Sequence, residues 1–386
     1  MKNITIITPF FFPEPISTGK FNTEMAIALK KRGHNVRVLC FHPFYPSWKI
    51  QKSTDSLEGV EIIRGGRLLK FTNNATIRRV ILELSFTFFL LRNISKLRGN
   101  TDIVIPVFPP SLGFLAAKLF LKKRTKKVGM VHDLQEIYAN QKTSLVSTII
   151  SKLIHIVEKG CYKSCDTLIF LSEEMKNTAQ EIYKLPSSKL KVQYPFVTIN
   201  SESKTNDLEE ILPGNFKHIV YSGALGEKQH PEGLYELFDS CSKTLTGVMF
   251  HIFSQGNHFE LLKEKNRNNK IQFHPLVPKN NIEELYQRSH IQVVPQLPGT
   301  SKGSLPSKLP NLLVSGVNVL CITDEGSEIQ ELFEKNNFKT IITSWDTEKI
   351  KNIFEKLLLE DNNNGHQIEI SNQLFQMDSM IDKILN

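Results

Sequence analysis

The chain has 386 residues, long enough for two domains of ordinary size, and its 40% hydrophobic content suits a globular protein. No apolar run reaches the roughly 18–20 residues a membrane-spanning helix needs. The start, Ile4 to Thr8, reads as a buried β-branched strand rather than a secretory leader. The net charge of +9 is uneven: residues 1–200 hold 30 Lys+Arg against 14 Asp+Glu, and the remainder 18 against 25. Such a basic half attracts anionic membrane, phosphorylated ligands or nucleic acid. No helix-turn-helix, zinc-finger or RNA-recognition pattern accompanies it, which argues against nucleic acid. The five cysteines are scattered without a CxxC pair and read as small buried thiols of a reducing compartment.

In chain order, strands are predicted at Ile4–Thr8, Asn35–Cys40, Val60–Arg64, Ile103–Pro106, Lys127–Val131, Thr167–Leu171 and Lys191–Gln193. Helices are predicted between them at Gly19–Arg32, Ile77–Leu97, Ser111–Lys122, Thr143–Ser164 and Glu173–Tyr183. The polar segment Thr198–Asn215 reads as a linker. The alternation then restarts with strands His218–Ser222, Val248–Ser254, Lys270–His274, Ile291–Pro295, Val317–Ile322 and Thr340–Ile342. Strand-helix alternation predicts parallel sheets covered by helices, in two α/β units. Ligands of such sheets sit at the carboxyl ends of the strands, so the loops after the strands are the places to search.

Two of those loops place glycine just before or at a helix start. Gly299 and Gly303 precede a short apolar helix, about Ser307 to Ser315, that ends at Gly316. Free N–H groups and the positive end of a helix dipole hold phosphate, and Lys308 adds a cation there; an ordinary connection with a solvated lysine is the alternative. Gly19 opens the first long helix with the same geometry, and Lys20 beside it suits a donor or acceptor phosphate or is simply solvated. Ser17-Thr-Gly-Lys20 lacks the upstream glycine and following Ser/Thr of a nucleotide-hydrolysing phosphate loop.

The ordered set Pro9–Phe21, Glu24–Val36, Pro43–Trp48, Phe108–Gly113, Val131–Leu134, Tyr221–Gln229, Leu305–Lys308 and Gly326–Glu328 resembles retaining glycosyltransferases of the GT-B fold, in the group-1 (family-four) class. The similarity is greatest to colanic-acid and O-antigen sugar transferases. It implies two Rossmann-like doubly wound domains facing a central cleft. Residues 1–198 would form an N-terminal acceptor-binding domain and 199–386 a C-terminal nucleotide-sugar domain, with the final helix near 370–386 packing back on the first. It further implies catalytic roles for His132, Lys228 and Glu328. Donor contacts would come from Gly19, Gly223, Lys228, Gln229, Ser304, Leu305, Pro306, Ser307, Lys308 and Asn311, and acceptor contacts from Lys20, Tyr45, Trp48 and Asp133. The structural alternatives are a strand-end role for His132 and a helix-start role for Glu328. The chain departs from the family pattern at three places: Gly303 and Asn311 stand where most members carry paired glutamates, and Ala224 where an arginine is usual. No Asp-x-Asp motif is present, so neither a metal nor another cofactor is expected.

The segment 77–97 is the most apolar helix candidate and is flanked by Arg78, Arg79, Arg92, Lys96 and Arg98; the basic run Lys122–Lys127 follows the next one. Apolar surface beside clustered cations suits a monotopic face on anionic lipid, and a buried helix with a charged rim is the alternative. The reading that results is transfer of a sugar, an N-acetylhexosamine or N-acetylfucosamine, from UDP. The acceptor is undecaprenyl-diphosphate-linked or an oligosaccharide, in O-antigen or capsule synthesis, on the cytoplasmic inner face of the plasma membrane. A UDP-sugar 2-epimerase of the same fold and a non-catalytic scaffold of a membrane-associated assembly are the alternatives.

Overall fold

The computed structural model describes residues 1–14, 16–45, 47–72, 74–134, 145–197, 205–301, 305–360 and 364–386. They divide into two compact units, Met1–Tyr194 with Met377–Asn386, and Pro195–Gln376.

The first unit carries strands β1 (Asn3–Ile7), β2 (Asn35–Phe41), β3 (Val60–Gly65), β4 (Ile103–Phe108), β5 (Lys126–Val131), β6 (Thr167–Phe170) and β7 (Leu190–Val192). They pair in parallel in the order β3-β2-β1-β4-β5-β6-β7. β4 is buried along its whole length, as the central strand of a sheet covered on both faces must be. Helices α1 (Ser17–Lys31), α2 (Ala75–Arg92), α3 (Ile94–Arg98), α4 (Leu112–Ala117), α5 (Leu145–Ser164) and α6 (Glu173–Tyr183) connect the strands. α2 buries Leu82, Phe86, Phe89 and Leu90, the three-to-four spacing of one helix face. The single helix expected over 77–97 is two. Asn93 Nδ2 donates to the Phe89 carbonyl at 2.9 Å, and such a side-chain bond competes with continued helix.

The second unit carries β8 (Lys217–Ser222), β9 (Val248–Phe253), β10 (Ile271–His274), β11 (Ile291–Pro295), β12 (Asn318–Ile322) and β13 (Ile341–Ile342). Their order is β10-β9-β8-β11-β12-β13, all parallel. Its helices are α7 (Pro231–Thr244), α8 (Asn257–Lys265), α9 (Ile282–Arg288), α10 (Leu309–Ser315), α11 (Glu328–Lys335), α12 (Thr347–Leu358) and α13 (Gly365–Leu374). Both orders have the doubly wound form in which the chain reverses direction across the sheet beside its first strand, and the crevice there is where ligands bind. In the second unit that point lies between β8 and β11.

The linker expected at 198–215 is corrected over its described part. The buried Glu284 carboxylate accepts from Thr205 Oγ1 at 2.6 Å and from the Asp207 and Leu208 N–H groups at 3.0 Å. Leu208 and Leu212 are buried. Two leucines four residues apart anchor this stretch to the second unit against its polar surroundings. The helix expected near 370–385 is also two: α13, in the second unit, and α14 (Met377–Leu385), in the first.

Candidate active site

In the first unit the strand ends are joined by a buried carboxylate that sequence reasoning passed over. Glu14 is 3% exposed. It accepts from the Phe44 N–H at 3.0 Å and from the Tyr45 N–H, tying the loop after β1 to the loop after β2. Burial raises its carboxyl above the ordinary value, against the Tyr45 and Phe44 hydrogen bonds and nearby Arg64. Its signal was an acid between two prolines in an aromatic loop, Pro13-Glu14-Pro15. Gly19 is needed here, because a Cβ would lie 2.9 Å from Glu14 Cβ. The glycine lets the first turn of α1 sit directly on the Glu14 loop. Lys20 is exposed in that turn.

His132 follows β5, its N–H bonded to the Phe108 carbonyl at 2.9 Å. Its ring meets Phe21 edge-on at 4.7 Å. Burial lowers its pKa to about 4, so the imidazole is neutral at pH 7, and Nε2 is buried without a hydrogen-bond partner among the described residues. Asn22 Oδ1, one residue beyond Phe21, is likewise buried without a partner. Asp133 is half-buried beside His132. Trp48 lies in an aromatic cluster with Phe44 and Phe71, and the Arg78 guanidinium stands 4.0 Å over its ring. One face of its ring is therefore taken by a cation of the same unit. Tyr45 is half-buried at the edge of this cluster.

In the second unit the loops after β8, β11 and β12 are bound to one another. The Lys228 carbonyl accepts from the Leu297 N–H at 2.8 Å. Thr323 Oγ1 donates to Gln296 Oε1 at 2.5 Å. Asp324 grips the Gly299 N–H at 3.0 Å and Ser301 Oγ at 2.5 Å. Burial pushes the Asp324 carboxyl up, and the bonds from Ser301 and Gly299 outweigh it, so it stays ionised below the ordinary range. Gly223 has φ +135, left-handed backbone that only glycine tolerates without strain. Gln229 Oε1 accepts from the Gly226 N–H at 3.0 Å and closes the same loop. Lys228 projects from that loop, exposed, and makes no side-chain hydrogen bond or ion pair among the described residues.

Lys308 differs from expectation. Its ammonium is turned inward, 3.0 Å from the Ser222 carbonyl, 3.4 Å from the Val293 carbonyl and 4.1 Å over the Tyr221 ring. Burial lowers its pKa to about 7. The β8–β11 ladder has its last pair at Gln292 and Val220, so the lysine fills the opening where the strands diverge. The mobile phosphate-side cation expected from the sequence is thus a wedge under the Gly223 loop. Glu328 is 2% exposed at the first position of α11. Leu305, Pro306 and Asn311 are half-buried and Ser307 is exposed along the approach to α10; Ser304 and Gly303 lie outside the described residues.

Two family models match successive parts of the chain. Glycosyltransferase Family 4 covers residues 18–201 and Glycosyl transferases group 1 covers 203–373. The chain belongs to the GT-B glycosyltransferases of this class. A protein of Escherichia coli (strain K12) named as a colanic acid biosynthesis glycosyl transferase, WcaI, is 25% identical over 349 residues, 84% of each chain. The fold matches sucrose-phosphate synthase from Thermosynechococcus elongatus at TM-score 0.70 and 12% identity, covering 100% of this chain and 97% of that one. It matches an α,α-trehalose-phosphate synthase (UDP-forming) from Burkholderia vietnamiensis at TM-score 0.70 and 10% identity, with the same coverage. In this GT-B enzyme the edge of the second sheet brings Gly223, Lys228, Gln229, Pro306, Lys308 and Glu328 into one set of interlocked loops. His132, Asp133, Lys20, Tyr45 and Trp48 belong to the first unit.

Proposed function

We propose that this glycosyltransferase moves a sugar from UDP to a lipid-linked or saccharide acceptor in surface polysaccharide synthesis, with retention of anomeric configuration. The second unit holds the UDP-sugar and the first the acceptor, at the inner face of the plasma membrane. The observation that carries the donor half is Lys228. It is an exposed cation without a partner among the described residues, on a loop pinned to its neighbours at the strand-reversal edge. Negative charge grows on the leaving diphosphate as the glycosidic bond breaks, and a preorganised donor aimed at it lowers the barrier. The loop is held by Gln229 and Leu297 before ligand arrives, so little reorganisation is needed. Ala224 is exposed, and the family resemblance implies an arginine there, so its replacement leaves more of that charge to Lys228. His132 supports the first-unit role: a neutral imidazole whose Nε2 has no partner among the described residues suits a sugar hydroxyl. The relative named for colanic acid synthesis supports the polysaccharide context. An N-acetylated hexosamine or fucosamine is the sugar this reading favours.

The test is a thermal-shift screen against UDP-, GDP- and dTDP-sugars, since a ligand that binds only the folded state raises the melting point. UDP-sugars are expected to stabilise the parent. Lys228→Ala should lose about 2–4 kcal/mol of transition-state stabilisation, the size of one preorganised donor, with an unchanged melting point for the free protein. An unchanged kcat/KM removes Lys228 from the site. Stabilisation by UDP without turnover on any acceptor favours the non-catalytic scaffold, which the missing glutamates at 303 and 311 also suit.

A further inference from the structure

The first unit buries α2 by one face and leaves the opposite face apolar as well. Ile77, Val80, Leu84, Phe88 and Leu91 are 51%, 47%, 57%, 67% and 38% exposed. Their spacing of three to four residues draws one stripe along the helix. α4 ties this helix to α5. The Glu83 carboxylate of α2 accepts from the Ser111 and Leu112 N–H groups at 3.1 and 2.9 Å, and the Lys118 ammonium beyond α4 donates to the Gly160 carbonyl of α5 at 3.0 Å. All three helices pack their inner residues into one core, so they form one layer over the sheet. On its outer side α5 exposes Leu153 and Ile156, and the turn after α4 exposes Leu119 and Phe120. Among the described residues, nine of the fifteen exposed large hydrophobic residues therefore lie in this layer. Exposed apolar residues scattered singly need no explanation, whereas a contiguous set marks an interaction surface.

Charge identifies what covers it. Residues 75–124 hold nine Lys and Arg and two acids, Glu83 and Asp102; residues 145–164 hold Lys152, Lys159, Lys163 and one acid, Glu158. Each of the three acids is engaged: Glu83 on α4, Asp102 on the Asn3 N–H at 2.8 Å, and Glu158, fully buried, on Tyr162 and Tyr183. Arg79, Arg92, Lys96, Arg98, Lys122, Lys123, Arg124, Lys152 and Lys163 are exposed. An apolar stripe bordered by cations, with no free carboxylate among the described residues of these segments, repels a second copy of itself and complements an anionic lipid interface. No described helix is long and apolar enough to cross a bilayer, so contact is from one side.

We infer that the outer side of α2, the turn after α4 and α5 form a single monotopic docking face for an anionic bilayer. The choice of a bilayer rests on the membrane-surface reading above, and the face itself on exposure and charge. Lys126 and Lys127, in the same basic run, take no part. Lys126 donates to the Ile384 carbonyl and Lys127 pairs with Asp166 at 3.1 Å.

The experiment is co-sedimentation of the full chain with vesicles of phosphatidylcholine alone and of equal parts phosphatidylcholine and phosphatidylglycerol. Binding is expected only to the second and should weaken as salt rises. The exposed pair Leu84→Ser with Phe88→Ser should weaken it about tenfold or more. Lys122→Gln, Lys123→Gln and Arg124→Gln together should weaken it and flatten its salt dependence. In a second measurement, Phe88→Trp should shift its emission to the blue on adding the anionic vesicles. Parent-like sedimentation of the serine pair overturns the inference, as does an unshifted tryptophan. So does a parent that binds neither vesicle, or one that dimerises through this stripe. UDP-sugar stabilisation, measured on the same variants without vesicles, reports separately on the donor reading.

Discussion

At Lys308 the β8–β11 ladder has already ended, and the Ser222 and Val293 carbonyls take their donor from a side chain. Lys308→Met removes that donor while keeping the stem, so buried carbonyls are left unsatisfied at about 1–3 kcal/mol each. Urea unfolding should show that loss in the second unit, and an unaltered midpoint would show that the carbonyls have another donor. Replacing Lys228, exposed on the adjoining loop, should leave stability untouched and lower only transfer from the donor. Both lysines are visible in the sequence as cations near glycine loops. Which one points outward is set by where the strands separate, and no local pattern carries that. Glu14 illustrates the converse: its partners, Phe44 and Tyr45, are some thirty residues away, and no spacing rule links them.

Among elements, β8, β9 and β10 place histidines side by side. His218 Nε2 lies 2.9 Å from the Pro213 carbonyl, His218 Nδ1 3.0 Å from His251 Nε2, and His251 Nδ1 3.1 Å from His274 Nε2. A carbonyl only accepts, so His218 carries its proton on Nε2, and the next two rings must do the same. His290 Nδ1 accepts from the His218 N–H at 3.1 Å. Adding a proton to the Nδ1 of His218 or His251 sets donor against donor. Burial, with Lys263 and Lys217 adding, lowers His274 and His290 to about 4; burial and the neighbouring rings lower His251 to about 2. Burial also lowers His218, partly offset by Pro213, with Arg288 nearby. These groups stay neutral in the fold while the unfolded chain binds protons below about pH 6.5. Stability is therefore full above that pH and falls as pH drops, by about 1.4 kcal/mol per pH unit for each extra proton bound by the unfolded chain. Unfolding midpoints measured from pH 7 to pH 5 should fall, and less steeply in His251→Gln. Equal slopes for parent and variant would remove His251 from the effect. The strands themselves were readable from their β-branched runs; the alignment of three histidines across them follows from strand order.

At the scale of the molecule, the last helix closes the first unit. α14 buries Met380, Ile381 and Ile384. Its final carbonyls are met by lysines from three strands or their starts. Lys2 reaches Leu385 at 3.1 Å, Lys126 reaches Ile384 at 3.3 Å, and Lys191 reaches Lys383 at 3.4 Å. Cations at a helix C-terminus satisfy orphan carbonyls and the negative end of the dipole. Lys383 answers by donating to the Val192 carbonyl at 2.8 Å and to Gln193 Oε1 at 2.7 Å. Arg32, just past the end of α1, binds Asp378 and Asp382. Part of the basic excess of the first half is thus consumed in holding this helix. Deleting residues 377–386 should lower the melting point of the first unit and expose α1 to hydrogen exchange. Unchanged protection of Met25 and Leu29 would mean the helix only decorates the surface. The strand-helix alternation, the two α/β units and the family were legible in the sequence alone, because periodicity and short motifs are local. Tertiary structure decided the inward turn of Lys308, the Glu14 tie, the histidine row, the C-terminal lysine cap and the exposed stripe on α2. Each depends on which residues distant in the chain become neighbours, and on which face of an element its neighbours leave to water.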